Sequence, residues 1–117
     1  MLRGLARTRL AGRLIAWILR HMSFAIPAQR LCETSTLLAF YHPQPSYPVH
    51  ILILPKRAIA SLLDITPADQ PFLADLFACV RQLVRELHLD EQGYRLIANG
   101  GDFQQIAQLH FHLIAGQ

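Results

Sequence analysis

Two histidines stand two apart near the end of this 117-residue chain, in Ile106-Ala107-Gln108-Leu109-His110-Phe111-His112-Leu113-Ile114. The alternation has the period of a β-strand, so the segment reads as a strand from Ile106 to Ile114. Ile106, Gln108, His110, His112 and Ile114 then share one face, and Ala107, Leu109, Phe111 and Leu113 form an apolar back. Imidazoles so spaced have Cα atoms about 6.6–6.8 Å apart, close enough to hold one small ligand between them. Three uses fit the pair. It could bind a metal, with His42 or His50 as a third donor. One ring could attack a phosphorus or acyl centre while the other steers charge. The strand could also simply be washed by solvent and tolerate histidine.

The flanking sequence supplies the elements that must position these rings. Thr36 to Tyr41 reads as a strand, and Pro43, Pro45 and Pro48 then exclude a sheet interior. Val49 to Leu54 is strongly strand-like, and Pro55 stops it. A helix is expected from Pro67 to about His88, with Thr66 as cap, Pro67 at the first helical position and Asp69 completing a capping box. Leu73, Leu76, Phe77, Val80, Leu83, Val84 and Leu87 follow the 3.6-residue period of a buried stripe. Pro71, inside the first turns, moves the regular start later. Gly93 ends the helical region, Tyr94 to Ala98 returns as a strand, and Asn99-Gly100-Gly101-Asp102 turns into the histidine strand. This order predicts an α+β fold: an antiparallel sheet with one long helix packed on it and a shorter N-terminal helix.

The length suits one domain with its own core, as does a hydrophobic content of 52%. The net charge of +3 is unevenly spread: six arginines and no acid occur up to Arg30, whereas five bases face eight acids in the remainder. Lys56, Arg57, Arg81, Arg85 and Arg95 are scattered among carboxylates, which argues against a nucleic-acid-binding face. Cys32 and Cys79 lack metal-type spacing and sit among apolar residues, as reduced core cysteines do. The start, residues 1–17, is a basic extension or the beginning of a first helix. The longest apolar run of the segment up to about Met22, Leu14 to Leu19, is far short of the roughly 20 residues that span a bilayer. An arginine-rich, acid-free start fits an organelle presequence, a membrane-surface helix, or a poorly ordered extension running into a first helix that packs on the domain. A cytoplasmic location is expected, with organelle targeting or membrane-surface contact as the alternative.

The run Gln104 to Gly116 resembles the signature strand of the histidine triad (HIT) family, in which histidine fills three alternate positions before apolar residues and glycine. Ile26-Pro27-Ala28, Glu33, Leu38-Ala39-Phe40, Pro45, Pro48 and His50-Ile51-Leu52-Ile53-Leu54-Pro55-Lys56 are similar to the Hint-type branch. Arg95-Leu96-Ile97-Ala98-Asn99-Gly100 is similar to its pre-turn strand. The resemblance runs from about Ile18 to the last residue, making 18–117 a HIT domain without the usual C-terminal tail. It implies a homodimer that binds an AMP-like purine nucleotide. It further implies hydrolysis at the α-phosphorus of a nucleoside monophosphate derivative, of phosphoramidate type, through a nucleotidyl-histidine, with neither cofactor nor metal. His110 falls on the nucleophile, and His112 on the histidine that contacts phosphate oxygens. Asn99 and Gln105 fall on groups that bind phosphate or leaving group, and Gln104 on a glutamine before the triad. His50 falls on a supporting histidine, and Phe40 on the base pocket.

Two residues depart from the pattern. Gln108 replaces the first triad histidine and cannot carry a proton or positive charge at neutral pH. His42 replaces the acid that grips ribose hydroxyls, where imidazole offers no paired acceptors; a solvent-exposed loop histidine is the other reading there. These departures keep open an alternative to an enzyme: a nucleotide-binding or interaction module with weak or no catalysis.

Overall fold

The computed structural model describes residues 30–116. The expectations for the arginine-rich start, including the shorter N-terminal helix, lie outside those residues. Five strands, β1 (Arg30–Glu33), β2 (Leu37–Tyr41), β3 (Val49–Pro55), β4 (Tyr94–Ala98) and β5 (Phe111–Ala115), form one sheet in the order β1-β2-β3-β5-β4. Every neighbouring pair is antiparallel. The long helix α1 (Gln70–Glu86) and the short α2 (Leu89–Gln92) complete the regular structure, with single 3₁₀ turns between elements. The α+β sheet-and-helix architecture is the one the periodicities predict.

Alternation along the strands separates two faces. Leu37 and Ala39 of β2, Ile51 and Ile53 of β3, and Phe111 and Leu113 of β5 bury against Phe72, Leu76, Cys79, Val80 and Leu83 of α1. The other face carries a smaller apolar cluster of Leu38, Phe40 and Leu52, with Leu54 against it. His50 and His112 belong to this second face, because His112 lies opposite Leu52 and His50 opposite Ile114.

The helix begins as its sequence dictates. Pro67 opens a 3₁₀ turn, and the Asp69 carboxylate accepts the Thr66 backbone N–H at 2.9 Å. The regular helix starts at Gln70, so Pro71 falls in the first turn, where no N–H is required. Phe77 corrects the expected stripe: it is 61% exposed, while Phe72 and Cys79 are buried. It sits at the margin of the arc centred on Leu76 and Leu83, so its ring clears the sheet. Both cysteines are free, and burial raises the Cys79 thiol pKa. No helix among the described residues is long and apolar enough to cross a membrane.

Two strands differ from the sequence reading. β1 has no alternation to announce it, being a short, half-buried edge strand whose register shifts between Arg30 and Cys32. The histidine strand is shorter than expected, starting at Phe111 instead of Ile106. The last pairs on either side of it are Ile53 with Phe111 and Ala98 with Phe111. Upstream of Phe111 the pairing stops: β4 gives way to Asn99-Gly100-Gly101, and β3 runs only two residues past Ile53, to Pro55, which has no N–H. Residues 104–109 are stitched instead to the loop after β3, with Leu109 N–H donating to the Ile59 carbonyl at 2.7 Å.

Leu83 is 1% exposed at the helix–sheet contact. Leu83→Ala is expected to lower unfolding free energy by about 2–5 kcal/mol, whereas Phe77→Ser changes it by about 0.5 kcal/mol or less. Urea denaturation of the two variants checks the assignment, and equal losses would contradict it.

Candidate active site

Four imidazoles meet on the sheet face opposite α1. His112 projects from the second position of β5 and His50 from the second position of β3. His42 follows β2, and its backbone N–H extends the pairing by donating to the His50 carbonyl at 2.8 Å. His110 immediately precedes β5. Ring centroids lie 4.4 Å apart for His42 and His50, 5.2 Å for His50 and His112, and 5.0 Å for His110 and His112. His110 meets His112 edge-on, at 68°. Tyr47 adds an edge contact to His50 at 5.5 Å.

Backbone groups decide where the ring protons lie. Ser46 N–H donates to His50 Nδ1 at 3.1 Å, so that nitrogen holds a lone pair and Nε2 carries the hydrogen. His50 Nε2–H can then only donate to His112 Nδ1, 2.9 Å away, which leaves the His112 hydrogen on Nε2. At His110 the order is reversed. Its Nδ1 stands 2.7 Å from the Gln108 carbonyl, which only accepts, so Nδ1 carries the hydrogen and Nε2 an open lone pair. His42 Nδ1 accepts Gln44 N–H at 2.9 Å, which turns His42 Nε2 into a donor. The cluster thus sets one nucleophilic nitrogen beside N–H donors suited to an oxyanion.

This proton order requires neutral rings. Burial, helped by the neighbouring His110, His50 and His42, pushes the His112 pKa down to about 4. Burial and His42 lower that of His50, and burial and His110 lower that of His42.

The remaining sequence-predicted residues divide into two groups. Asn99, half-buried, directly follows Ala98, whose partner Phe111 directly follows His110, so Asn99 and His110 both lie just beyond the last pair of β4 and β5. Phe40 is on the same face, 2% exposed and across from Leu52, one strand beyond His112's own neighbour. Gln105 is exposed at the loop surface. Gln104 and Gln108 are turned elsewhere. The Gln104 amide donates to the carbonyls of Ala60 at 2.7 Å and Ile106 at 3.0 Å, and the Gln108 amide donates to the Arg57 carbonyl at 3.4 Å. His42 is half-buried against His50, not free in solvent. The sequence reading missed the backbone donors of Gln44 and Ser46 and the Gln108 carbonyl, for which no side-chain signal exists. Among the described residues, no three His, Cys, Asp or Glu side chains are arranged to hold a metal ion.

A five-stranded antiparallel sheet with one long helix behind it and clustered imidazoles in front defines a histidine-site α+β protein. The family model described as HIT domain matches residues 23–117, and the chain belongs to the HIT family. It is 34% identical over 116 residues to an uncharacterized 13.2 kDa HIT-like protein of Azospirillum brasilense, covering 97% of this chain and 93% of that one. A HIT-like protein of Synechococcus elongatus is 39% identical over 94 residues, covering 79% of this chain and 82% of its own length. Among solved structures, a HIT family hydrolase from Legionella pneumophila superposes with a TM-score of 0.75 at 33% identity, covering 89% of this chain and 92% of that one. A histidine triad nucleotide-binding protein from Candida albicans gives 0.69 at 32% identity, covering 86% and 73%.

The low His112 pKa has a consequence for stability. The folded-state value lies below the ordinary 6.5, so the contribution is full above pH 6.5 and is lost as pH falls toward about 4, while the unfolded chain takes up the proton first. The urea midpoint is expected to fall across that window, and His112→Gln to flatten the fall. An unchanged slope in the variant would assign it to other groups.

Proposed function

We propose that this chain is a nucleotide-binding hydrolase acting at the α-phosphorus of a nucleoside monophosphate derivative, of phosphoramidate type, through a nucleotidyl-histidine. The observation that carries the reading is the Gln108 carbonyl at 2.7 Å from His110 Nδ1, which leaves Nε2 free to attack. Support also comes from the likeness to a HIT family hydrolase of Legionella pneumophila and to a histidine triad nucleotide-binding protein of Candida albicans.

In this scheme His110 Nε2 forms a bond to phosphorus, and the bond from phosphorus to the leaving amine breaks. The electron pair goes to the amine nitrogen, which takes a proton from solvent. The Gln108 carbonyl faces the positive charge that develops on the ring. His112 Nε2–H donates to a phosphate oxygen as charge shifts there, and this reading gives Asn99 an assisting role. Water then attacks phosphorus and gives up a proton to solvent, the bond from phosphorus to His110 Nε2 breaks with its electron pair returning to the ring, and the monophosphate is released. Dividing one displacement into two lowers each barrier. Phe40 and its apolar neighbours would receive a purine edge, with His42 beside the sugar.

A homodimer belongs to the same reading, because among the described residues β4 ends the sheet and offers its outer strand edge to a second copy. So does a cytoplasmic location, since two free cysteines suit a reducing compartment. The alternative, a nucleotide-binding module without turnover, is favoured by the amide at Gln108 and the imidazole at His42.

Incubation with adenosine 5′-phosphoramidate is expected to release AMP. Intact-mass analysis after brief exposure to a reactive AMP derivative is expected to show a nucleotidyl adduct. His110→Ala, folded by circular dichroism, should show neither. Nucleotide affinity by calorimetry without adduct or turnover in the parent would establish the module, and undiminished turnover in His110→Ala would end the proposed chemistry.

A further inference from the structure

His110 stands outside the sheet, one residue before β5 begins, so strand pairing does not hold its ring. Its aim depends on the loop of residues 104–109, which is fastened to the 57–60 loop. Gln104 Nε2 reaches Ala60 O at 2.7 Å and Leu109 N–H reaches Ile59 O at 2.7 Å. The Gln108 side-chain amide reaches Arg57 O at 3.4 Å. This third contact differs in kind. It is made by the residue whose own carbonyl receives the His110 Nδ1 hydrogen.

Arg57 is itself anchored. Its Nε and Nη2 meet the two Asp69 carboxylate oxygens at 2.8 and 2.7 Å, as a parallel two-bond fork. Asp69 is 5% exposed, and one of its oxygens also accepts Thr66 N–H at the start of α1. Guanidinium and backbone N–H together hold its carboxyl down to about 2, so the fork persists at any pH where the protein works. A continuous run of bonds therefore leads from the rigid helix start through Asp69, Arg57 and Gln108 to His110.

We infer that Gln108 is a positioning residue for His110, and that the Arg57–Asp69 pair anchors it. The inference rests on the reading of His110 as nucleophile. A free imidazole shares its hydrogen between two nitrogens, and only the Nδ1–H form leaves Nε2 able to attack. By fixing the peptide plane at residue 108, the amide keeps the carbonyl on Nδ1. A neutral side chain thereby fills a position that the family resemblance assigns to histidine, through orientation and without charge.

The test uses Gln108→Met, similar in length but without a donor, and Arg57→Ala, whose native side chain is 56% exposed. With adenosine 5′-phosphoramidate, Gln108→Met is expected to lower kcat about tenfold and leave KM within about twofold, as misaimed chemistry does. Arg57→Ala is expected to lower kcat about threefold or more, and the double variant to lose little beyond Gln108→Met, since the residues act in series. Gln108→His, which keeps an N–H donor, should recover most of the loss. Nitrogen-15 NMR of His110 should show one tautomer, hydrogen on Nδ1, in the parent and a mixture in Gln108→Met. Unchanged kcat, a loss confined to KM, additive losses, or an undisturbed tautomer would overturn the inference. Should Gln108→Met fail to fold, Arg57→Ala decides it by the same readouts. Failure of the parent to cleave would count against the proposed function, while the tautomer comparison would still judge the positioning role.

Discussion

A neutral imidazole has two nitrogens and one hydrogen to place, and here the backbone decides which nitrogen receives it. Ser46 N–H on His50 and the Gln108 carbonyl on His110 are the two fixed points. The His50–His112 bond carries the first of them across to β5. That transfer requires β3 and β5 to pair in one register, with His50 against Ile114 and His112 against Leu52. A slip of one residue would turn His112 toward α1 and bring Phe111 or Leu113 into its place. Burial of Phe111 and Leu113 in the main core opposes such a slip, so the forces that fold the sheet also align the site.

The two faces contribute differently. Behind the sheet, aliphatic side chains meet α1 and supply most of the hydrophobic stabilisation. In front, His50 is buried and His112 half-buried, and desolvation penalises their charged forms. That penalty is useful: protonating His112 would set two donors face to face across 2.9 Å, and protonating His50 would set its Nδ1–H against Ser46 N–H across 3.1 Å. Low basicity and proton order are thus the same fact. The apolar cluster of Leu38, Phe40 and Leu52 beside the rings keeps that part of the face dry.

Much of this was legible in the residues because it depends on period. Strands β2, β3 and β4 and the helix stripe follow from spacing, and the capping pattern at Thr66 to Asp69 located the helix start. Phe77 shows the limit of a stripe, since periodicity names an arc but not where the sheet surface curves away. The stretch from Ile106 to Leu109 shows a different limit. It alternates as a strand does, and Leu109 is indeed buried, yet a strand exists only where a partner offers N–H and C=O groups, and on both sides the pairing ends at Phe111. The histidines were visible as site residues through their type and their family register. Their proton order was not, because it is set by main-chain atoms of Gln44, Ser46 and Gln108 that every residue possesses.

The same reasoning explains how the site tolerates glutamine where the family pattern has histidine. What His110 takes from residue 108 is a carbonyl oxygen, which any amino acid supplies. The side chain has only to hold that peptide plane, and an amide donating to Arg57 O does so without titrating. His42, His50 and His112 do titrate, and their lowered pKa values place the disruption of proton order on the acid side of neutrality. As pH falls, the grip on the Gln108 plane persists while the donor order at His50 and His112 is lost.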